Sequence, residues 1–149
     1  MKKKRGFEVI SSYAKKGIHI PERKTSRSSG YDIEAAKDTV IKPHDLTRVY
    51  TGIKVYMPED EYLLISIRSS LAFKKGLILA NGPAIIDSDY YNNEDNEGHL
   101  IIGIYNPGDN PVLIKKGDRI AQGIFMKYKT TDDDTATGKR VGGIGSTGK

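Results

Sequence analysis

The chain has 149 residues, of which 37% are hydrophobic and 29% charged, and this length and composition suit one domain with a modest core. The formal net charge is +5, but the basic residues are scattered in pairs rather than along one predicted helix, which argues against a DNA-binding recognition helix. Cysteine is absent, which excludes disulfides, thiolate zinc sites and cysteine nucleophiles.

The N-terminal segment is basic but carries no secretory or membrane signal. Residues 1–5 read Met-Lys-Lys-Lys-Arg, and no apolar segment follows them. No apolar run in the sequence approaches the roughly 20 residues that a membrane-spanning helix needs. We therefore expect a cytoplasmic protein with neither a membrane nor a nucleic acid as its partner.

The hydrophobic pattern has a period of two, which predicts strands. Within residues 49–57, Ile53, Val55 and Met57 alternate with more polar neighbours. Short apolar segments separated by Gly, Pro, Asn and Asp then follow at residues 61–67, 77–79, 99–105, 111–114 and 119–128. One short helix is predicted near Ser70 to Lys74. This arrangement predicts an all-β barrel or sandwich.

The C-terminal segment differs in composition from the rest of the chain. Residues 130–149 are rich in Thr, Gly and Asp and nearly devoid of apolar side chains, so they cannot bury enough surface to offset the entropy of ordering. We expect a β-barrel domain over residues 1–129 and a flexible C-terminal arm over residues 130–149. The arm is either a disordered end or a segment that orders over a ligand.

Four polar segments lie beside the predicted strands and the arm adds a fifth, at residues 29–33, 68–72, 81–90, 117–122 and 140–148. Arg68 offers bidentate donors for phosphate, and Ser69 and Ser70 add hydroxyl and amide groups at a turn. Gln122 adds an amide, and Asp87 follows two isoleucines in a position suited to a general base. Each segment alone is more often a surface turn, but together they predict an anion site with a water-activating acid.

In this order and near this spacing, the five segments resemble the five motifs of the trimeric dUTP diphosphatases over residues 29–148. The insert at residues 91–97 resembles one bacterial and phage branch of that family. The resemblance implies a distorted jelly-roll-like barrel of the β-clip type that forms a homotrimer. It also implies Mg²⁺-dependent hydrolysis of dUTP to dUMP and pyrophosphate. Each active site would lie between subunits, with the arm of one subunit closing a site built by the other two.

The resemblance further implies roles at the nucleoside end of the site. Asp87 would be the general base for the water that attacks the α-phosphorus. Asn81 and the backbone as far as Ile86 would read the uracil edge, and Tyr90 would pack beneath the deoxyribose. Ile144 occupies the position where the family usually has a phenylalanine that stacks on uracil.

At the phosphate end, the resemblance implies two groups of ligands. The first would hold the α- and β-phosphates and comprises Arg68, Ser69, Ser70 and Gln122. The second would hold the γ-phosphate from the arm and comprises Arg140, Gly145, Ser146 and Thr147, with Lys139 as an alternative to Arg140. The Mg²⁺ would be held by the triphosphate and by water, with Asp32 and Gln122 beside its water shell and no direct protein ligand.

Two alternatives stay open on the sequence. The dCTP deaminases share the implied fold and an Arg-Ser-Ser segment, but they carry a catalytic glutamate where Gly103 stands here. Without that carboxylate there is no evident proton shuttle for deamination. The second alternative is a non-catalytic interaction protein on the same scaffold, against which the retained Asp87, Arg68 and Gln122 argue.

Overall fold

The computed structural model describes residues 2–147, so Gly148 and Lys149 at the end of the predicted arm lie outside the described residues. Eleven strands are found in residues 2–147: β1 Gly6–Val9, β2 Tyr31–Glu34, β3 Thr39–Ile41, β4 Leu46–Tyr50, β5 Ile53–Tyr56, β6 Glu61–Ile67, β7 Ile78–Leu79, β8 Ala84–Asp87, β9 Ile101–Tyr105, β10 Val112–Ile114 and β11 Arg119–Lys127. One α-helix, α1, spans Ser69–Lys75, and single 3₁₀ turns span Ser11–Tyr13 and Ser88–Tyr90. No helix in this part of the chain is long and apolar enough to cross a membrane.

The strands form antiparallel sheets that join segments far apart in the sequence. The largest sheet has the order β2-β11-β6-β8, and a three-stranded sheet has the order β4-β9-β7. Two further pairs join β1 with β5 and β3 with β10. This antiparallel pairing of distant strands is that of a jelly-roll-like barrel, so the predicted all-β fold is confirmed.

The core lies between these sheets and consists mainly of aliphatic side chains from alternate strand positions. Complete burial of one such side chain contributes roughly 1.5–3 kcal/mol to folding. The most deeply buried members are Ile33, Ile41, Val49, Ile53, Leu63, Ile65, Leu77, Leu100, Ile102, Ile104, Ile114 and Ile120. None of the buried core residues comes from the arm, so the barrel does not depend on the arm for its core.

The strand predicted across residues 49–57 is in fact two strands. Val49 and Tyr50 end β4, whereas Ile53 and Val55 lie in β5. Between them Gly52 has a φ of 72°, a conformation that interrupts an extended strand and that glycine adopts without strain. The inward alternation of Ile53 and Val55 is confirmed, since both are buried.

Candidate active site

A cavity of about 420 Å³ opens beside the end of β8 and gathers most of the residues predicted for the nucleoside end of the site. The barrel contributes Asn81, Ile86, Asp87 and Tyr90 to its lining, and the arm contributes Arg140, Ile144, Gly145 and Thr147. The third polar segment and the arm of one chain therefore meet in one place. The arm lies against the third segment of its own chain, whereas the family resemblance implies closure across subunits.

Arg140 bridges two carboxylates at the mouth of this cavity. Its Nη2 donates to Asp87 Oδ2 at 2.8 Å and its Nε donates to Asp89 Oδ1 at 2.8 Å. The Arg140 side chain is only 8% exposed, whereas the Asp87 side chain is 56% exposed. Although Asp87 follows two isoleucines, its carboxylate is only partly shielded, because it faces a guanidinium on one side and solvent on the other.

Tyr90 supports the floor of the cavity beneath Arg140. The Arg140 Cζ lies 5.7 Å from the centre of the Tyr90 ring, within range of a cation–π contact. The Tyr90 hydroxyl donates to the carbonyl oxygen of His99 at 2.8 Å and accepts from Asn96 Nδ2 at 2.9 Å. Burial raises the pKa of the Tyr90 phenol, which therefore remains a neutral donor near pH 7.

His99 is a structural residue rather than a catalytic one. Burial lowers the pKa of its imidazole to about 4, so the ring is neutral near pH 7. In that form its Nε2 accepts the backbone N–H of Gly52 at 2.8 Å. This contact ties the turn between β4 and β5 to the residue whose carbonyl holds Tyr90.

The second polar segment lies at the other end of β6. Arg68 is extended and immediately precedes α1, so Ser69 and Ser70 form the first turn of that helix with no side-chain cap on their amide groups. The helix ends at Gly76, whose φ is 68°, after two lysines in the last turn that suit the negative end of the helix dipole. The uncapped amides and the Arg68 guanidinium all suit a phosphate oxygen.

Gln122 and Asp32 lie next to this segment on adjacent strands. Gln122 of β11 pairs in register with Asp32 of β2 on one side and with Ser66 of β6 on the other. A Cβ atom on Gly30 would collide with the Gln122 side chain, so the glycine at this position leaves room for the amide. Asp32 accepts from Arg119 Nη1 at 3.3 Å, a partner that the sequence did not predict.

Within one chain the predicted ligands of the α- and β-phosphates lie far from Asp87. Asp87 pairs with Tyr62 at the start of β6, whereas Arg68 follows the end of that strand. At about 3.3 Å per residue the separation along β6 is roughly 20 Å. None of Arg68, Ser69, Ser70, Gln122 and Asp32 lines the cavity that contains Asp87. A single chain therefore places the arm ligand Arg140 beside Asp87 but leaves the predicted ligands of the α- and β-phosphates at a distance.

Two charged residues at the site were given no role from the sequence. Asp89 is the second carboxylate that holds Arg140, and Arg48 of β4 lines the cavity. The Asp-Ser-Asp spacing across a 3₁₀ turn was the available signal for Asp89, because two carboxylates at that spacing can hold one guanidinium fork. Arg48 carried no signal, since it is a lone cation on an alternating strand.

The structure is an antiparallel β-barrel, and its cavity combines the Asp87 carboxylate with the Arg140 side chain of the arm. The family model described as dUTPase matches residues 16–148, and the chain belongs to that family. It is 48% identical over 146 residues to a deoxyuridine 5'-triphosphate nucleotidohydrolase of Lactococcus lactis, with 97% of each sequence covered. The crystal structure of a dUTPase from Streptococcus mutans superposes with a TM-score of 0.81 at 41% identity, covering 85% of this chain and 98% of that chain.

A more distant structure shares the fold. It is a mutant dUTPase from phage phi11 of S. aureus, described with a structural Mg(II) ion, and it superposes with a TM-score of 0.74 at 21% identity. The match covers 90% of this chain and 97% of that chain. The resemblance inferred from the five sequence segments is confirmed by these comparisons.

Proposed function

We propose that this protein hydrolyses dUTP to dUMP and pyrophosphate, with Asp87 as the general base. Membership of the dUTPase family supports the reaction, and one observation supports the assignment of the base. Asp87 is the carboxylate that lines the described cavity together with the predicted nucleoside ligands Asn81 and Tyr90 and the arm cation Arg140. Since the substrate is a nucleotide, we also propose a cytoplasmic location.

In the proposed reaction Asp87 takes a proton from the water that attacks the α-phosphorus. The pyrophosphate leaves with the electron pair of the bond between the α-phosphorus and its bridging oxygen, and dUMP keeps the new oxygen from water. In the structure Arg140 occupies Asp87 Oδ2, so withdrawal of Arg140 would free that oxygen to accept the proton. A bound triphosphate supplies the competing anion, because a guanidinium fork also binds phosphate oxygens well.

The side chains that line the cavity are chemically complementary to the nucleoside end of the substrate. Asn81 supplies an amide for the uracil edge, and Ile86 and Ile144 supply apolar contact with the base. Tyr90 lies below as a packed ring that would pack beneath a deoxyribose. Ile144 is more than half exposed, so it offers less contact to the base than a stacked aromatic ring would.

The phosphate end would be formed by Arg68, Ser69, Ser70 and Gln122, with Arg140, Gly145, Ser146 and Thr147 added by the arm. The residues described offer oxygen and amide groups here but no cluster of three metal-binding side chains. Such a set fits a Mg²⁺ ion held by the triphosphate, with Gln122 and Asp32 contacting its water shell. The ion would neutralise negative charge on the phosphates. Asp32 would contact this water shell in addition to accepting a hydrogen bond from Arg119.

We also propose that the working form is a homotrimer. Two exposed apolar surfaces support this assembly. Leu46, Tyr105 and Ile78 form one row across the sheet β4-β9-β7, and this row continues into the Asp87 cavity through Leu46. Phe73 of α1 is 90% exposed and belongs to the helix that follows Arg68. Contact between such surfaces of different chains would bring the two separated halves of the site together.

Light scattering should report a mass of three chains for the wild type. Leu46→Lys should lower that mass, because a lysine in the apolar row would have to be buried without a partner. Val40→Lys is a matched control, since Val40 is similarly exposed on β3 and does not line the cavity. An active wild-type monomer, or equal dissociation by both variants, would contradict the proposed assembly.

Product analysis with dUTP, dCTP, dTTP and UTP side by side tests the proposed reaction. We expect Mg²⁺-dependent release of dUMP and pyrophosphate from dUTP, with little action on dCTP or UTP. Gly103 lines the cavity at the position where the deaminases carry their glutamate, so no ammonia should form from dCTP. Ammonia release from dCTP would support the deaminase instead, and absence of any turnover would support a non-catalytic binding protein.

A further inference from the structure

The arm is exposed over most of its length but is buried at one point. Gly142 and Gly143 are buried, whereas residues 130–139 are exposed throughout. Both glycines lie against the insert loop, which we define as residues 91–97. Gly143 N–H donates to Asp95 Oδ2 at 2.8 Å, and the backbone N–H of Glu94 donates to the carbonyl oxygen of Val141 at 3.1 Å. The barrel therefore holds the arm by hydrogen bonds as well as by the Arg140 ion pairs.

The insert loop is built to hold Asp95 in place. The buried Asn93 Oδ1 accepts the N–H groups of Asp95 and Asn96 at 3.0 and 3.1 Å. Asn93 Nδ2 donates to the carbonyl oxygen of Tyr90 at 2.8 Å, which ties the loop to the cavity floor. Since its backbone is fixed from within, the loop presents the Asp95 carboxylate with little ordering cost when the arm docks.

We propose that the insert loop is the docking site of the C-terminal arm, and that Asp95 is a positioning residue for Arg140. This inference rests on the proposed function, which assigns phosphate binding to Arg140. Gly143 follows Arg140 by three residues, and its carbonyl oxygen lies 3.5 Å from Arg140 Nη1. Fixing the Gly143 amide on Asp95 therefore limits how far Arg140 can move from Asp87 and from a bound triphosphate.

The close approach of the arm to the loop requires glycine. A Cβ atom on Gly143 would lie 2.8 Å from Asn96 Nδ2, too close for normal contact. A Cβ atom on Gly138 would meet no atom within 4 Å. Neither residue has a φ in the left-handed range, so alanine at either position tests space alone. Gly143→Ala and Gly138→Ala are therefore a matched pair within the arm.

Docking can be measured without substrate by a nitroxide on the arm. The chain has no cysteine, so Val141→Cys gives a single labelling site. The Val141 side chain is exposed, and the substitution keeps the backbone carbonyl that accepts the Glu94 N–H. We expect a motionally restricted spectrum for the otherwise wild-type labelled protein. Asp95→Ala and Gly143→Ala should shift the ratio of restricted to mobile label by about 2- to 10-fold, the effect of one hydrogen bond. Asp95→Asn, which keeps an acceptor oxygen, should shift it less.

Glu94→Ala and Gly138→Ala are the controls, because the Glu94 side chain makes no hydrogen bond in the described part of the chain. Both should keep the wild-type spectrum.

In steady-state assays Asp95→Ala should raise KM for dUTP by about 2- to 10-fold and leave kcat nearly unchanged, since the arm must then be ordered by the substrate. Unchanged label mobility in both Asp95→Ala and Gly143→Ala, or equal changes in the controls, would overturn the proposal. The label reports docking even if the wild type fails to hydrolyse dUTP, so the two proposals fail separately.

Discussion

Asp87→Asn is expected to lower kcat for dUTP by about 10²–10⁴-fold, the usual contribution of a positioned general base. Asparagine has nearly the same shape and can still accept a hydrogen bond from Arg140, but it cannot take a proton from water. Asp87 is exposed and lies outside the core, so the fold and nucleotide binding should be retained. Steady-state kinetics, with dUTP binding measured by calorimetry, would check both parts.

Asp89→Asn is the matched control for this variant. Asp89 holds the same Arg140 guanidinium at the same distance of 2.8 Å but is not the proposed base. Its loss should alter the docking of Arg140 and so affect kcat far less than the loss of Asp87. A near-normal kcat for Asp87→Asn, or equal losses in the two variants, would show that the base lies elsewhere.

Deletion of residues 130–149 is expected to lower kcat/KM by about 10- to 100-fold or more. The deletion removes Arg140, and a hydrogen bond to a charged group contributes about 1.5–3 kcal/mol. The β-barrel should stay folded because the arm supplies no core residue, so Tm should change little. This result would also support the proposed division into a barrel over residues 1–129 and an arm over residues 130–149.

Single substitutions locate the loss within the arm. Arg140→Ala should reproduce most of it, because Arg140 carries both ion pairs to the cavity carboxylates. Lys139→Ala should have little effect, since Lys139 is exposed and its side chain has no partner among residues 2–147. A truncated enzyme with full activity would rule out a functional arm, and a larger loss in Lys139→Ala would transfer the role to Lys139.

The sequence predicted the strands with strong alternation or dense apolar runs. The segments at residues 61–67 and 119–128 appear as β6 and β11, and the helix predicted near Ser70 appears as α1. It did not predict β1, β2, β3 and β8, which have three or four residues each. Their partners are β5, β11, β10 and β6, and such pairing between separate segments is decided by the packed barrel rather than by local pattern.

The site was predictable as a set of residues but not as an arrangement. The family resemblance identifies Asp87, the amide side chains of Asn81 and Gln122, and Arg140 of the arm as site residues. The ion pairs of Arg140 with Asp87 and Asp89 depend on where the arm lies, and a segment with so few apolar side chains gives no pattern from which to infer its position. The contact of the insert loop with the arm was not predictable either, because it depends on hydrogen bonds of Asn93 within the loop and of Asp95 with Gly143.

The most direct test of the central claim is dUTP hydrolysis in water enriched in ¹⁸O, with mass analysis of both products. Attack of an Asp87-activated water on the α-phosphorus predicts that the heavy oxygen is found in dUMP and that pyrophosphate is unlabelled. Heavy oxygen in pyrophosphate would place the attack on the β-phosphorus, and release of inorganic phosphate would place it on the γ-phosphorus. Either outcome would contradict the proposed reaction.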